Sequence, residues 1–536
     1  MMRLHSVVVV AVLSASCGGD GSSSYGVGDE SSSYGIGGTV TGLGGSELVL
    51  VNNGSDRVAV QGNGPFVFPA RLAKHARYDV TIEAQPGWPA QACTISGACG
   101  EVGAGDVTTV AVSCRRLAVY FSRWEGDAEY RLWRTDGTEA GTHAVVGDAS
   151  DDGSSPKAFS VWDDRLYFAG KGTTAWAALW RTDGTPEGTE LVKDVEIGAQ
   201  GLVACGGVGY FAGDDGLNDA EIWRTDGTAA GTSRVTDLQP GEYGSDPVQL
   251  TCAGGTLFFF ADDGVNGEQL WTSDGTEGGT SRLTDLWVAW KRLPPVALRG
   301  AVLFVAAGRD QSSMALWRSD GTVEGTVPVT NGATVSPSLI QKGVVSGDRL
   351  FLPGDDSEHG AEPWVSDGTA DGTRLIEDLA PGTVGSYPAE LQPLGGAVYF
   401  QAITDDAGGE LWRTDGTLEG TALFVDLCPG SCSSGPSYLI PTRRYLFFVA
   451  SDETNGPELW RTDGTSGGTV ALRPASAPSG PYGLVAFGDG VAFVAHDDLG
   501  IPAIWFSDGS PEGTVRAADT CAPGDQCIGP QALAVY

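Results

Sequence analysis

The sequence predicts an all-β chain: a large β-propeller of about nine four-stranded blades, closed by its C-terminal strand and preceded by a small β-sandwich domain. Three observations predict it. The ten-residue signature W-x-x-D-G-[TS]-x-x-G-T recurs nine times in the last four-fifths of the chain. Its tryptophans, Trp133, Trp180, Trp223, Trp271, Trp317, Trp364, Trp412, Trp460 and Trp505, are spaced 43 to 48 residues apart, the period of a four-stranded blade. The last eight residues, 529–536, carry the x-P-x-x-L part of the pattern that opens several units, "[GS]-x-P-x-x-L".

Composition narrows the class further. The 536 residues include 80 Gly, about twice the usual share. Gly with Asp, Ser and Thr punctuates short strands, and that density of breakers excludes helical repeats of similar period. The net charge is −36, from 68 acidic and 32 basic residues. So acidic a chain repels phosphate backbones, which argues against a nucleic-acid partner.

Residues 1–16 read as a lipoprotein signal peptide. Arg3 supplies the positive end and residues 7–13 an apolar run too short to span a bilayer. Leu13-Ser14-Ala15-Ser16-Cys17 resembles a bacterial lipobox, which implies lipidation of Cys17 at the mature N-terminus. Gly follows Cys17, which favours the outer membrane in that resemblance. Residues 17–35 are a Ser/Gly tether in which Ser-Ser-Ser-Tyr-Gly occurs twice; such a segment has no core to bury.

Residues 36–116 alternate strand-like runs with turns and read as a small β-sandwich serving as a spacer. Ten Cys fit an oxidising compartment. Cys428 with Cys432, and Cys521 with Cys527, sit close together in matching Pro-Gly turns and suit small disulfide loops. Cys205 and Cys252 occupy equivalent places in successive repeats and are candidates to pair. A C-x-x-C motif is absent and no His adjoins either close pair, which argues against zinc. The run "G-x-V-x-G-L … L-x-L-x-N-N-G … Y-x-V-x-I … C-x-[IV] … V-x-x-V-A-V-x-C" resembles a small domain of bacterial surface proteins. That resemblance implies a Cys93–Cys114 pair and leaves Cys99 over.

Residues 117–536 are the repeat array. In the unit 247–285, residues 247–252 read as strand A and the apolar 256–261 as strand B. Residues 268–273 read as strand C and 280–285 as strand D. The first repeat begins directly at strand B. A C-terminal strand A would complete that blade, join the chain ends and leave no open edge.

The signature has a structural reason at each position. Trp in strand C is expected to bury its ring between blades, with its N–H on a nearby acceptor. Asp-Gly ends the strand, since Asp bonds its own backbone two residues on and Gly supplies positive φ. Gly-Thr opens strand D. Arg follows Trp in six copies (Arg134, Arg181, Arg224, Arg318, Arg413 and Arg461) and is expected to pair with an Asp of its own or the next blade. Leu-Trp-Arg-Thr-Asp-Gly-Thr at 132–138, 411–417 and 459–465 resembles the ELWxxDGT repeat proteins. That resemblance implies a repeat architecture and export, and carries no characterised activity.

The variable loops are therefore the functional candidates. Asp214 and Asp215, Asp262 and Asp263, Asp355 and Asp356, and Asp405 and Asp406 cluster hard oxygen ligands between strands B and C, a candidate Ca²⁺ set. None completes an EF-hand pattern, and Asx-stabilised hairpin turns with solvated carboxylates are the preferred reading. His75, His143, His359 and His496 lie apart and in no H-E-x-x-H or G-x-S-x-G context. No cofactor is expected apart from calcium. The expectation is a monomeric cell-envelope lipoprotein, membrane-bound through its lipid. It would act without catalysis as a binding or structural module, for a protein or glycan ligand, through its propeller loops. An enzyme acting on polysaccharide or an envelope substrate, and a calcium-dependent adhesin, are the alternatives. His359 and the insert at 287–292 are the irregularities that single out a blade.

Overall fold

In a computed structural model, residues 33–519 and 533–536 are described. Excepted are the stretches 45–47, 87–89, 125–129, 146–153, 217–219, 242, 287–293, 309–313, 330–342, 357, 474–478 and 498. Cys17, Cys521 and Cys527 lie outside the described residues, with the signal segment and most of the tether.

Alternating apolar residues fold residues 33–116 into two four-stranded sheets. One orders the strands Gly64–Ala73, Ser33–Thr41, Val107–Arg116 and Gln91–Ser96; the other orders Asp56–Val60, Leu48–Asn52, Arg77–Ala84 and Cys99–Glu101. Ile36, Val40, Phe66, Phe68 and Val112 from the first sheet meet Leu48, Leu50 and Val80 from the second in one core. This is the expected sandwich, with one correction at its edge. The first strand starts at Ser33, inside the stretch read as tether, because Ser33 and Tyr34 pair with Ala73 and Leu72.

From residue 117 the chain forms nine four-stranded units, each with strands A to D in order outward. In blade 4 these are Val248–Ala253, Thr256–Asp262, Glu268–Ser273 and Ser281–Arg282, close to the expected bounds except for the shorter strand D. Blades 2 and 3 share one sheet. The long strand D of blade 2, Glu190–Ile197, reaches the strand B of blade 3, pairing Glu196 with Asp214 and Ile197 with Gly213.

The blades are joined by their apolar faces. A separate buried cluster fills each seam, from blades 1 and 2 round to blades 8 and 9. The last seam joins blade 9 to blade 1 through Val119, Phe121, Phe487, Val494, Phe506 and Val535, so the ring is closed. Its closing strand is Leu533–Val535, antiparallel to Val119–Trp124, with Leu533 opposite Phe121 and Val535 opposite Val119. Ala118 and Tyr536 exchange backbone hydrogen bonds of 2.9 and 3.0 Å. This is the C-terminal strand predicted to complete blade 1, and the pairing removes both free edges.

Antiparallel connection places A–B and C–D turns on one face of the ring and B–C and D–A loops on the other. The sandwich packs on the first face at the blade 9–blade 1 seam. Ala90 joins the apolar cluster of that seam and lies against Gly488 in the A–B turn of blade 9. The Leu117 N–H donates to the Ala90 carbonyl at 3.0 Å, and Arg116 pairs with Asp136 in the C–D turn of blade 1 at 3.4 Å. The domain expected to act as a spacer is thus seated directly on the ring.

Disulfides Cys93–Cys114, Cys205–Cys252 and Cys428–Cys432 are present. Cys205–Cys252 links strand A of blade 3 to strand A of blade 4. Cys99, left over in the sequence reading, is itself disulfide-bonded, which corrects that assignment.

Candidate functional site

The signature residues are consumed by the fold. Each signature Trp lies in the seam between its own blade and the preceding one. Trp180, Trp223, Trp271, Trp364, Trp460 and Trp505 belong to the seam clusters, and Trp133, Trp317 and Trp412 pack against them. Opposite each Trp on strand B stands a Phe, as in Phe168–Trp180 and Phe448–Trp460; blade 6 has Leu352 instead. The indole N–H of Trp180, Trp271, Trp317, Trp460 and Trp505 donates to a strand B or B–C loop carbonyl at 3.0–3.2 Å. Those of Trp133, Trp364 and Trp412 find no acceptor.

The Asp-Gly-Thr turn is equally self-contained. In blade 4 the Asp274 Oδ1 accepts from the Thr276 N–H at 2.9 Å and from its hydroxyl at 2.7 Å. The Gly279 N–H donates to Thr276 Oγ1, and the Thr280 hydroxyl to the Thr276 carbonyl. Gly275 has φ +88° and Gly279 sits so close that a Cβ there would stand 2.0 Å from Asp274 Oδ1. Both glycines are thus dictated by the turn.

The arginines correct an expectation. Two of them reach the carbonyl of the next blade's signature Gly rather than an Asp. Arg224 donates to the Gly275 carbonyl at 3.1 Å and Arg461 to that of Gly509. Arg461 also stacks on Tyr445, 4.3 Å from the ring centre, while Arg181 pairs with Glu190. Carbonyls are the nearer acceptors because each signature Asp is already turned onto its own Thr.

On the opposite face the Asp pairs are turn-formers. Asp214 Oδ1 and Asp262 Oδ1 accept from the Gly216 and Gly264 N–H groups at 2.7 and 2.8 Å. Asp263 takes the Val265 and Asn266 N–H groups and the Asn266 amide. Asp356 takes the Glu358 and His359 N–H groups, and its Oδ2 lies 2.7 Å from His359 Nδ1, which raises the imidazole above its ordinary value. Asp405 and Asp406 are exposed in the blade 7 loop. The four pairs stand in four separate blades, and no group of three or more metal-ligating side chains occurs among the described residues.

Sequence reasoning missed one recurring group. Two residues before Trp, buried Glu221, Glu362 and Glu410 hold the D–A loops. Glu362 accepts from the Leu379, Ala380 and Ser386 N–H groups at 3.1, 3.1 and 2.8 Å, and from the Ser386 hydroxyl at 2.6 Å. Glu221 with Ser245 and Glu410 with Ser434 repeat the arrangement. Burial pushes the Glu362 and Glu410 carboxyls up, against the pull of those donors. Its signal was legible: Glu precedes Ser by 24 residues in all three units, across a Pro-Gly loop.

The loop face also exposes apolar side chains: Trp176, Tyr243, Val265, Val384, Ile403 and Leu499. These sit where the repeats differ, whereas the opposite face carries the invariant turns and the sandwich.

No protein-family model matches the chain, and no curated protein matches it. Among solved structures it is similar to a puromycin hydrolase, at 17% identity and TM-score 0.35, over 60% of this chain and 54% of that one. A structure from an analysis of two prolyl endopeptidases matches at 13% identity and TM-score 0.34, over 63% and 54%. The chain spans about half the length of these structures. The expectation of a chain outside the enzymes is corrected by this finding: the two similar structures named here are of a hydrolase and of endopeptidases. A likeness of this size assigns no reaction to any residue here.

Proposed function

We propose that this chain is a cell-envelope lipoprotein of the ELWxxDGT repeat type, anchored through Cys17, whose propeller meets its ligand or substrate on the B–C and D–A loop face. One observation carries the reading. The sandwich, which follows the N-terminal anchor, occupies the signature-turn face, so the variable loops point away from the attachment side. The signature residues hydrogen-bond one another and leave the chemistry to those loops. Such a division, invariant core and variable face, is the ordinary logic of repeat scaffolds.

The test places a photoreactive side chain at Trp176 or Tyr243 on the loop face, and at Val323 or Leu418 in the signature turns. All four positions are well exposed. Irradiated cells should yield adducts from the first pair and none from the second. Adducts confined to Val323 and Leu418 would reverse the assignment. Anchoring is tested by mass: Cys17→Ser should lose the acyl mass and leave the membrane fraction.

A further inference from the structure

On the loop face Arg234, Arg282 and Arg516 pair with Asp237, Asp285 and Asp497, and the carboxylates of the blade 7 B–C loop are without such a pair among the described residues. Among the described residues of the B–C and D–A loops, the Lys and Arg side chains are Lys171 and Arg473. Arg473 is already paired with Asp452 and Glu458.

At blades 6 and 7 this charge meets an exposed apolar patch. The D–A loop between them presents Val384, 67% exposed, and Tyr387, 43% exposed, and strand B of blade 7 presents Ile403, 46% exposed. Asp405 and Asp406 follow Ile403 and are exposed, as is Glu358 in the neighbouring B–C loop. The patch is rigidly built. Tyr387 N–H donates to the Ala361 carbonyl at 3.0 Å and Ile403 N–H to that of Ser386 at 2.8 Å. Ala361 bridges Gly385, and buried Glu362 holds the loop from beneath.

Tyr387 has φ +50°, a conformation costly for a residue with a Cβ. The equivalent position before the Pro of blade 8 is Gly435, with φ +59°. The residue before that Pro has positive φ at Ser155, Asp246 and Gly480 as well, so the conformation belongs to the repeat, and blade 7 is where it carries an aromatic ring.

We propose that this patch binds a basic polypeptide segment: an apolar residue against Val384 and Ile403, with Lys or Arg over the Tyr387 ring and beside Asp405, Asp406 and Glu358. Charge selects this partner. With a net charge of −36, a second copy of this chain and a nucleic acid are both repelled. The proposal rests on the loop-face reading above and names the partner on that face.

The experiment titrates the full chain with a fluorescent peptide alternating Lys and Leu, and with its Glu-for-Lys counterpart. The Lys peptide should bind, weaken about tenfold between roughly 50 and 300 mM salt, and weaken about tenfold in Tyr387→Gly and in the double variant Asp405→Asn, Asp406→Asn. Tyr387→Gly relieves backbone strain, so lost folding does not confuse the result. The Glu peptide should not bind. Equal binding to parent and variants, or equal binding of both peptides, overturns the proposal. So does binding of calcium or a chito-oligosaccharide at this patch with none of the Lys peptide. In each case adducts at Trp176 and Tyr243 still report independently on the loop-face reading.

Discussion

At the residue scale, the signature is a closed set of mutual requirements. Asp274 needs Thr276 as donor, and Gly279 must lack a Cβ because the same carboxylate fills that space. Gly279→Ala should cost about 1–2 kcal/mol, the value of the turn hydrogen bonds it disturbs. In an Asp274→Ala background the same change should cost markedly less, since the clash is gone. Urea denaturation of the four proteins of this cycle measures the coupling, and simple additivity would refute the contact. Acid tests the same turns collectively. In seven copies the Thr hydroxyl, aided by the Thr N–H, holds the Asp below its ordinary 3.8. A lowered folded value means stability is present above 3.8 and is lost as pH falls through the lowered values. The urea midpoint should be flat near neutrality and fall steeply below about pH 4. A midpoint that rises on acidification would exclude these turns as the controlling groups.

At the scale of the element, the buried Glu of strand C is the piece that makes a D–A loop rigid. Glu362 satisfies three backbone N–H groups and one hydroxyl. Glu362→Gln would turn an amide against those donors and should cost about 1–3 kcal/mol. Hydrogen exchange should show faster exchange at Leu379, Ala380 and Ser386, with the other blades unchanged. Blade 4 shows how Gln is accommodated where the loop differs: Gln269 donates to the Leu286 and Asn266 carbonyls and accepts from the Thr284 hydroxyl and Leu286 N–H. Unchanged protection in Glu362→Gln would mean that the loop is held by its Pro and its backbone pairing alone.

At the scale of the whole molecule, stability depends on one short strand. Leu533–Val535 closes blade 1, and Tyr536 ties it to three other segments. Its backbone pairs with Ala118, its hydroxyl donates to the Asp164 carbonyl in blade 2, and Arg115 of the sandwich lies over its ring at 4.1 Å. Removing residues 533–536 exposes the edges of Val119–Trp124 and opens the blade 9 seam. The truncated chain should melt at least about 10 °C lower in calorimetry and self-associate through the freed edge. Arg115→Ala should show a smaller loss and no association. A truncated chain that melts with the parent would show that the ring does not need its clasp.

The sequence by itself determined the repeat: its nine signatures, the turn chemistry, the seam position of each Trp and the closing strand. These are periodic, and periodicity repeats a local requirement often enough to be read. It also pointed to the Cys205–Cys252 pair, because equivalent positions in adjacent repeats are neighbours. Tertiary structure alone decided what couples distant residues. Arg224 and Arg461 donate to a carbonyl in the next blade, and the sandwich takes the signature-turn face through Ala90 and Arg116. A single contact between distant segments leaves no period behind it. The exposed patch of Val384, Tyr387 and Ile403 is of this kind: two loops from separate blades make it, and only the closed ring sets them side by side.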